Sequence, residues 1–195
     1  MKKLSSIMMI ALAVLAFQAC KNGTKDNKEA ADSANVTKDT SHNSAATGGI
    51  AVDKDDAKFA TTAANAGMTE VNAGKMAQDK AVNPRVKSFA AMMVTDHTKA
   101  GDELAAIAKT KNITLPPGPD ADSQKAADDL AKKSGKAFDK AYVNQMVSDH
   151  KKAVKLFEDA SKNCKDPDLK AFAAKTLPTL KMHLDSAKAI QKSLK

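Results

Sequence analysis

Residues 89–100 read F-A-A-M-M-V-T-D-H-T-K-A, and residues 142–153 read Y-V-N-Q-M-V-S-D-H-K-K-A. Both run from an aromatic residue through Met-Val, a hydroxyl residue, Asp-His and one variable residue to Lys-Ala. Phe89, Met93, Asp96, His97 and Ala100 thus answer to Tyr142, Met146, Asp149, His150 and Ala153. Phe89, Met93, His97, Ala100 and Leu104 recur at steps of three and four, as do Tyr142, Met146, His150, Ala153 and Phe157. That is the period of an amphipathic helix, with a histidine inside each apolar stripe. The chain has four histidines, and two of them stand in this repeat.

Outward from the repeat the same period continues. It predicts helices over 85–111 and 136–163. Upstream, Phe59, Ala63, Ala66, Glu70, Ala73 and Ala77 predict a helix over 57–82 with Glu70 in its stripe. Asn83-Pro84 ends it, because the residue before proline is pushed out of helical space while proline suits the first turn of the next helix. Downstream, Asp166 is a candidate N-cap with Pro167 in the first turn. From there Leu169, Phe172, Ala173, Leu180, His183, Ala187 and Ile190 carry a fourth long helix toward the C-terminus. Pro178 inside it removes a backbone donor and is expected to kink it. Pro116-Pro117-Gly118-Pro119 closes the second long helix, a short helix follows over 122–133, and Ser134-Gly135 breaks the pattern again. Nothing reads as a strand. The expectation is all-α: a four-helix bundle over residues 57–195 with a short extra helix in the connection between the second and third long helices. That connection, about 24 residues, either runs back along the bundle as in ferritin-like crossovers or stays at one end.

Each stripe carries one polar residue: Glu70, His97, His150 and His183. Glu70 and His97 lie equally far on either side of the Asn83-Pro84 turn, so an antiparallel hairpin sets them level. His150 and His183 are two residues off level about the turn at 165–166, or about 3 Å along the axis. One Glu and three His converging in a bundle core suit a divalent first-row ion, with zinc, iron and copper the candidates. Asp96, Asp149 or Asp139 would hold the outer ring nitrogens, with Tyr142 close by. Met93 and Met146 stand four residues before His97 and His150, on the same helix faces. Thioether beside imidazole adds possible soft ligands that suit reduced copper. A di-iron carboxylate centre fits less well: adjacent Asp-His side chains diverge by about 100° on a helix, whereas that centre needs Glu-x-x-His. No catalytic residue is assigned. The alternatives are a structural or interaction module whose buried Glu/His cluster only fixes helix packing, and a metal-dependent redox or stress-protection protein.

The N-terminal residues set the context. Lys2 and Lys3 precede an apolar run from Leu4 to Phe17, and residues 1–19 read as a secretory signal. Ala19-Cys20 resembles a lipoprotein cleavage site, with Cys20 the lipidated first residue. Phe17 and Gln18 depart from the usual pattern, and the alternative is a secreted periplasmic protein cut near Ala19. Residues 20–56 hold almost no large apolar side chain and read as a flexible tether, with His42 a linker residue. The expected location is thus the bacterial cell envelope, on the membrane through the lipid at Cys20 and not across it. The formal net charge is +8, and from Lys58 onward 24 Lys and Arg face 16 Asp and Glu. With the lysines spread along every helix, 4% aromatic content and an export signal, nucleic acid is not an expected partner. An anionic envelope polymer or lipid is the better match for this surface. Cys164, in N-C-K-D-P-D, is expected to be an exposed turn thiol.

Glu70-Val71, M-V-T-D-H-T-K-A at 93–100, S-G-K-A-F-D-K-A-Y at 134–142, M-V-S-D-H-K-K-A at 146–153 and L-P-T-L-K-M-H at 177–183 together resemble the bacterial family catalogued as domain of unknown function 4142, often labelled an outer-membrane protein. The resemblance covers about residues 58–192. It implies a ferritin-like helical bundle in an exported protein, and it implies no reaction.

Overall fold

The computed structural model describes residues 26–38 and 52–194; the signal region, Cys20 and His42 lie outside them. The described residues form six helices and no strand: α1 (Asn27–Lys38), α2 (Lys54–Lys80), α3 (Pro84–Thr110), α4 (Ala121–Ala131), α5 (Gly135–Asn163) and α6 (Pro167–Ser193). The all-α expectation holds. The long helices fall within three residues of the ranges that periodicity predicts, and capping chemistry sets their starts. The side chains of Asp53, Asn83 and Asp166 each accept backbone N–H groups of the first turn that the helix itself leaves unpaired. At the start of α5, Gly135 has φ +56°, a conformation that glycine adopts without strain, which is why the pattern breaks there. Helix α6 stays helical through Pro178.

Hydrogen bonds at the helix ends define the topology. Lys165 and Asp166, just past α5, donate their backbone N–H groups to Asp56 in the first turn of α2 at 2.7–3.2 Å. At the opposite end Val82 and Asn83, just past α2, donate to Asp139 near the start of α5 at 3.1 and 2.9 Å. Helices α2 and α5 are therefore antiparallel. Each hairpin, α2–α3 and α5–α6, has its turn tied down by a buried aspartate of the other hairpin; Asp56 is 3% exposed and Asp139 is 1% exposed. Lys111 at the end of α3 pairs with Asp166 and Asp168 at the start of α6, which closes the fourth side. Helices α3 and α5 consequently run the same way, and the chain between them must travel the length of the bundle. It does so along α2. Asp120 meets Asn65 midway, and the Ala131 carbonyl accepts from Lys80 near the far end. Of the two routes open in the sequence, the connection takes the one that runs back.

Two apolar layers fill the interior. One gathers Phe59, Leu104, Phe157, Leu169, Phe172 and Leu180; the other gathers Phe89, Met93, Phe138, Tyr142, Met146 and Ile190. Small residues let the helices close in between them. At Gly74 an added Cβ would stand 2.8 Å from Val94 Cγ2 and 3.2 Å from the Ala90 carbonyl, so α2 and α3 approach through this position.

Two expectations are corrected. Residues 20–56 are not all tether, because Asn27–Lys38 form α1, which packs on α2 and on the crossover. The tether reading rested on the lack of large apolar residues. Docking here is instead mostly polar. Asn35 accepts from the Thr114 N–H and donates to its carbonyl, at 2.7 and 2.8 Å. Asn27 donates to the Pro119 carbonyl, and Asp26 accepts from the Ala121 N–H. Side chains that satisfy backbone groups of a loop supply what apolar area does not. Cys164 is buried, not exposed. Burial, followed by the charge of Asp56, pushes its thiol up to about 12. Only the thiolate reacts appreciably, so Cys164 is expected to ignore a disulfide reagent at pH 8 in the folded chain and to react fully in denaturant. Timed thiol titration with and without guanidinium checks this.

Candidate metal centre

Between the two apolar layers lies one polar layer, built by the four inward residues predicted from the stripes. Glu70 is 2% exposed, His97 8%, and His150 and His183 0%. Ring centroids of the three imidazoles stand 5.3 to 5.5 Å apart. One ring nitrogen of each lies within 4.8 Å of the other two. The turn arithmetic thus brings its four residues together, and the two-residue offset between His150 and His183 does not separate them.

The outer partners fix which nitrogen faces in. His150 Nδ1 donates to the Met146 carbonyl at 3.0 Å, one helical turn back, which leaves Nε2 with its lone pair. His183 Nε2 meets Asp96 Oδ2 at 2.9 Å; a carboxylate only accepts, so Nε2 carries the hydrogen and Nδ1 the lone pair. Those two lone-pair nitrogens, His150 Nε2 and His183 Nδ1, are 3.4 Å apart. His97 turns Nδ1 to Glu70 Oε2 at 3.1 Å, and its Nε2 is buried without a hydrogen-bond partner. Glu70 Oε1 is 3.2 Å from His150 Nδ1, but that hydrogen is directed at Met146, so Oε1 is also unpartnered. Three imidazole lone pairs are therefore left free inside a closed core, where an unsatisfied polar group costs roughly 1–3 kcal/mol.

This arrangement fits a metal ion. Two ligands at about 2.0–2.1 Å in tetrahedral geometry stand about 3.4 Å apart, the separation of His150 Nε2 from His183 Nδ1. Burial holds the imidazoles neutral, which is the ligating form. Burial, then the neighbouring imidazoles, lowers His97 to about 3. Burial, then His183, lowers His150 to about 4. Burial lowers His183 against the opposing pull of Asp96. Glu70 is pushed well up by burial and then by Asp149.

The remaining predicted residues divide. Asp96 takes its expected place behind His183. Asp149 touches no imidazole; it lies 3.5 Å from Lys152 and acts on Glu70 by charge alone. Asp139 lies at the bundle end, holding the α2–α3 turn. Its spacing one turn before Tyr142 suggested the site, but α5 carries it too far along the axis. Tyr142 is buried with its hydroxyl unpartnered; burial and then Glu70 push its phenol up. Met93 and Met146 are fully buried in the adjoining apolar layer, and Met146 meets the site through its backbone carbonyl. Glu70 faces the Nδ1 sides of His97 and His150, opposite their free Nε2 atoms. Sequence reasoning overlooked Asp56, because it left that residue in the tether, one position before the predicted helix start; the structure places it in the first turn of α2.

The profile of the family described as "Domain of unknown function (DUF4142)" matches residues 39–190. The chain belongs to this family. The match takes in α2, α3, α5 and all but the last residues of α6, and therefore Glu70, His97, His150 and His183, while α1 precedes it. No curated protein and no solved structure matches the chain. Membership of DUF4142 leaves the chemistry to be read from the site.

Proposed function

We infer that this protein binds one transition-metal ion in its bundle core through His97, His150 and His183, as an exported protein held at the cell envelope by a lipid on Cys20. The observation that carries the reading is the set of three free imidazole lone pairs in a buried pocket whose burial keeps them neutral. Glu70 and Asp96 then serve as carboxylates behind the ligands, orienting the rings and raising their basicity. A three-imidazole set suits zinc, copper or iron and leaves a fourth coordination position for an incoming molecule. No helix among the described residues is long and apolar enough to cross a membrane. Elemental analysis of the natively expressed chain tests the binding reading, with about one metal per chain expected. Protein that is metal-free as isolated and takes up no zinc, copper or iron on titration would sink it. Radiolabelled fatty acid incorporated into the wild type and not into Cys20→Ser tests the anchor.

A structural role for the cluster is the second reading. One observation favours it: at 3.4 Å, a single proton shared between His150 Nε2 and His183 Nδ1 would join the two helices without any ion. On that reading metal analysis is blank and the histidine variants lose stability alone.

A further inference from the structure

The two ends of the bundle differ in charge. The α2–α3 turn, the start of α5 and the end of α6 share one end. Over residues 75–87, 135–140 and 185–193 they hold eight Lys and Arg against three Asp, and one of the three, Asp139, is buried on the α2–α3 turn. At the opposite end, residues 53–60, 103–111 and 158–175 hold eight basic and eight acidic residues. The excess at the first end is also free. Arg85, Lys87, Lys133, Lys136, Lys140 and Lys192 are exposed and form no ion pair among the described residues. Helix electrostatics accounts for only part of this. Lys80 and Lys192 lie in the last turns of α2 and α6, where cations complement the carbonyl end of a helix. Arg85 and Lys136 lie in the first turns of α3 and α5, where open N–H groups favour an anion, and neither turn holds an acidic residue. The helices that start at the opposite end follow the rule, with Asp55 and Asp56 in α2 and Asp168 in α6. Free cations placed against the preference of their own helices form a surface complementary to an external anion. Val82, 59% exposed in the α2–α3 turn, adds an apolar side chain at the tip.

The chain enters the fold within reach of this end. Asp26 accepts the Ala121 N–H at the start of α4. The 11 residues of α4 run from there to the basic end, about 16 Å at 1.5 Å per residue, and the Ala131 carbonyl meets Lys80. Six residues separate Asp26 from Cys20 and span about 20 Å at full extension. A lipid on Cys20 and the basic end therefore reach one plane, and a bilayer plane is lined with phosphates. We propose that the bundle end formed by the α2–α3 turn and the start of α5 rests on the anionic phospholipid headgroups of the bilayer that holds the anchor. Its place beside that bilayer rests on the lipid proposed at Cys20; the affinity of the surface for anionic headgroups does not.

The test uses the exported chain from residue 20, which keeps every described residue, with Cys20→Ser so that neither signal nor lipid contributes. Vesicles of phosphatidylcholine alone are compared with vesicles of phosphatidylcholine and phosphatidylglycerol in equal parts. Co-sedimentation is expected to show binding to the mixed vesicles, at least about tenfold weaker binding to phosphatidylcholine, and loss of binding as salt rises. Arg85→Gln, Lys133→Gln, Lys136→Gln and Lys140→Gln combined are expected to weaken binding at least about thirtyfold, since each cation at an anionic surface contributes on the order of fivefold. These side chains are exposed and unpaired, so the helical signal is expected to be retained. Lys54→Gln, Lys58→Gln, Lys162→Gln and Lys170→Gln combined remove the same charge from unpaired lysines of the opposite end. That variant is expected to stay within about threefold of its parent, its charges lying beyond a Debye length from the headgroups. Lys136→Gln with Lys140→Gln alone is expected to give an intermediate loss. Equal loss in both quadruple variants, equal binding to the two kinds of vesicle, or no vesicle binding at low salt overturns the proposal. So does binding to soluble polyphosphate without binding to vesicles, which would assign the surface to an envelope polymer. Metal content and fatty-acid labelling are measured separately, so vesicle binding by a chain that holds no metal or takes no lipid upholds this surface while overturning those readings.

Discussion

His150→Ala is expected to strip the centre of metal, taking the chain from about one equivalent to under a tenth. The reason lies in the division of labour among the three rings. His150 is fully buried, its Nδ1 is committed to the Met146 carbonyl, and its Nε2 has only His183 Nδ1 within reach. Removing it takes away a ligand and also half of the one pair already at tetrahedral separation. Two imidazoles on α3 and α6 then remain, too few for a closed structural site. Changes behind the ligands should be milder. Asp96→Asn and Glu70→Gln keep the shape but weaken the orienting partner, with an expected loss of about 10- to 100-fold in metal affinity. Metal analysis of the three purified variants, beside competition titrations with a chromogenic chelator, checks the ranking. Equal metal in wild type and His150→Ala would remove His150 from the ligand set.

The metal-free chain should also respond to acid in a defined direction. His97 and His150 have folded values near 3 and 4 against an ordinary imidazole value of 6.5, so the unfolded chain takes up protons first as pH falls. The stability they contribute is present above about 6.5 and is lost on acidification toward those folded values. Glu70 acts oppositely. Its value is raised, so its contribution is present below 4.5 and fades as pH rises through its folded value. Three imidazoles outweigh one carboxyl between pH 6.5 and 4.5, and the midpoint in urea is expected to fall across that window. Urea titrations of chelator-treated protein at half-unit steps measure it, and a flat or rising midpoint would contradict the burial argument.

What could be read from the sequence was whatever repeats with the helix period. Phe89-Met93-His97 and Tyr142-Met146-His150 placed two histidines in apolar stripes, and equal distances from Asn83-Pro84 set Glu70 level with His97; both relations depend only on rise per residue. The direction of a side chain around its own axis was less legible. Glu70 shares the level of His97 and meets its Nδ1 side, a matter of rotamer that spacing does not encode. Helix α1 escaped because its docking relies on Asn35 and Asn27 meeting loop backbone, a pairing with no periodic trace. Cys164 looked exposed because N-C-K-D-P-D has turn composition, yet Asp56 folds that turn inward over the α2 start.

Asp139→Ala and Asp56→Ala are each expected to destabilise the fold by about 2–4 kcal/mol, since each leaves two backbone N–H groups without a charged acceptor. The two sites are equivalent in design. Asp139 on α5 receives the Val82 and Asn83 N–H groups that follow α2, and Asp56 on α2 receives the Lys165 and Asp166 N–H groups that follow α5. The turn cannot satisfy those donors within itself, because the backbone becomes extended at Ala81 and Cys164 and the N–H groups that follow no longer reach a carbonyl four residues back. Both aspartates are almost wholly buried, so water does not replace them in the folded chain. They also tie hairpin to hairpin, alongside the Lys111 pairs with Asp166 and Asp168, the crossover and side-chain packing. Losing either tie should lower the midpoint in urea with little change in slope, as expected when the folded area is unchanged. The isosteric Asp139→Asn retains one acceptor oxygen and should recover roughly half of the loss. An exposed carboxylate such as Asp185, 77% exposed beside Lys188, gives the contrast: its removal should stay within about 0.5 kcal/mol. If Asp139→Ala proved as harmless as Asp185→Ala, the turn would hold itself, and the register that levels Glu70 with His97 and His150 would have to come from core packing alone.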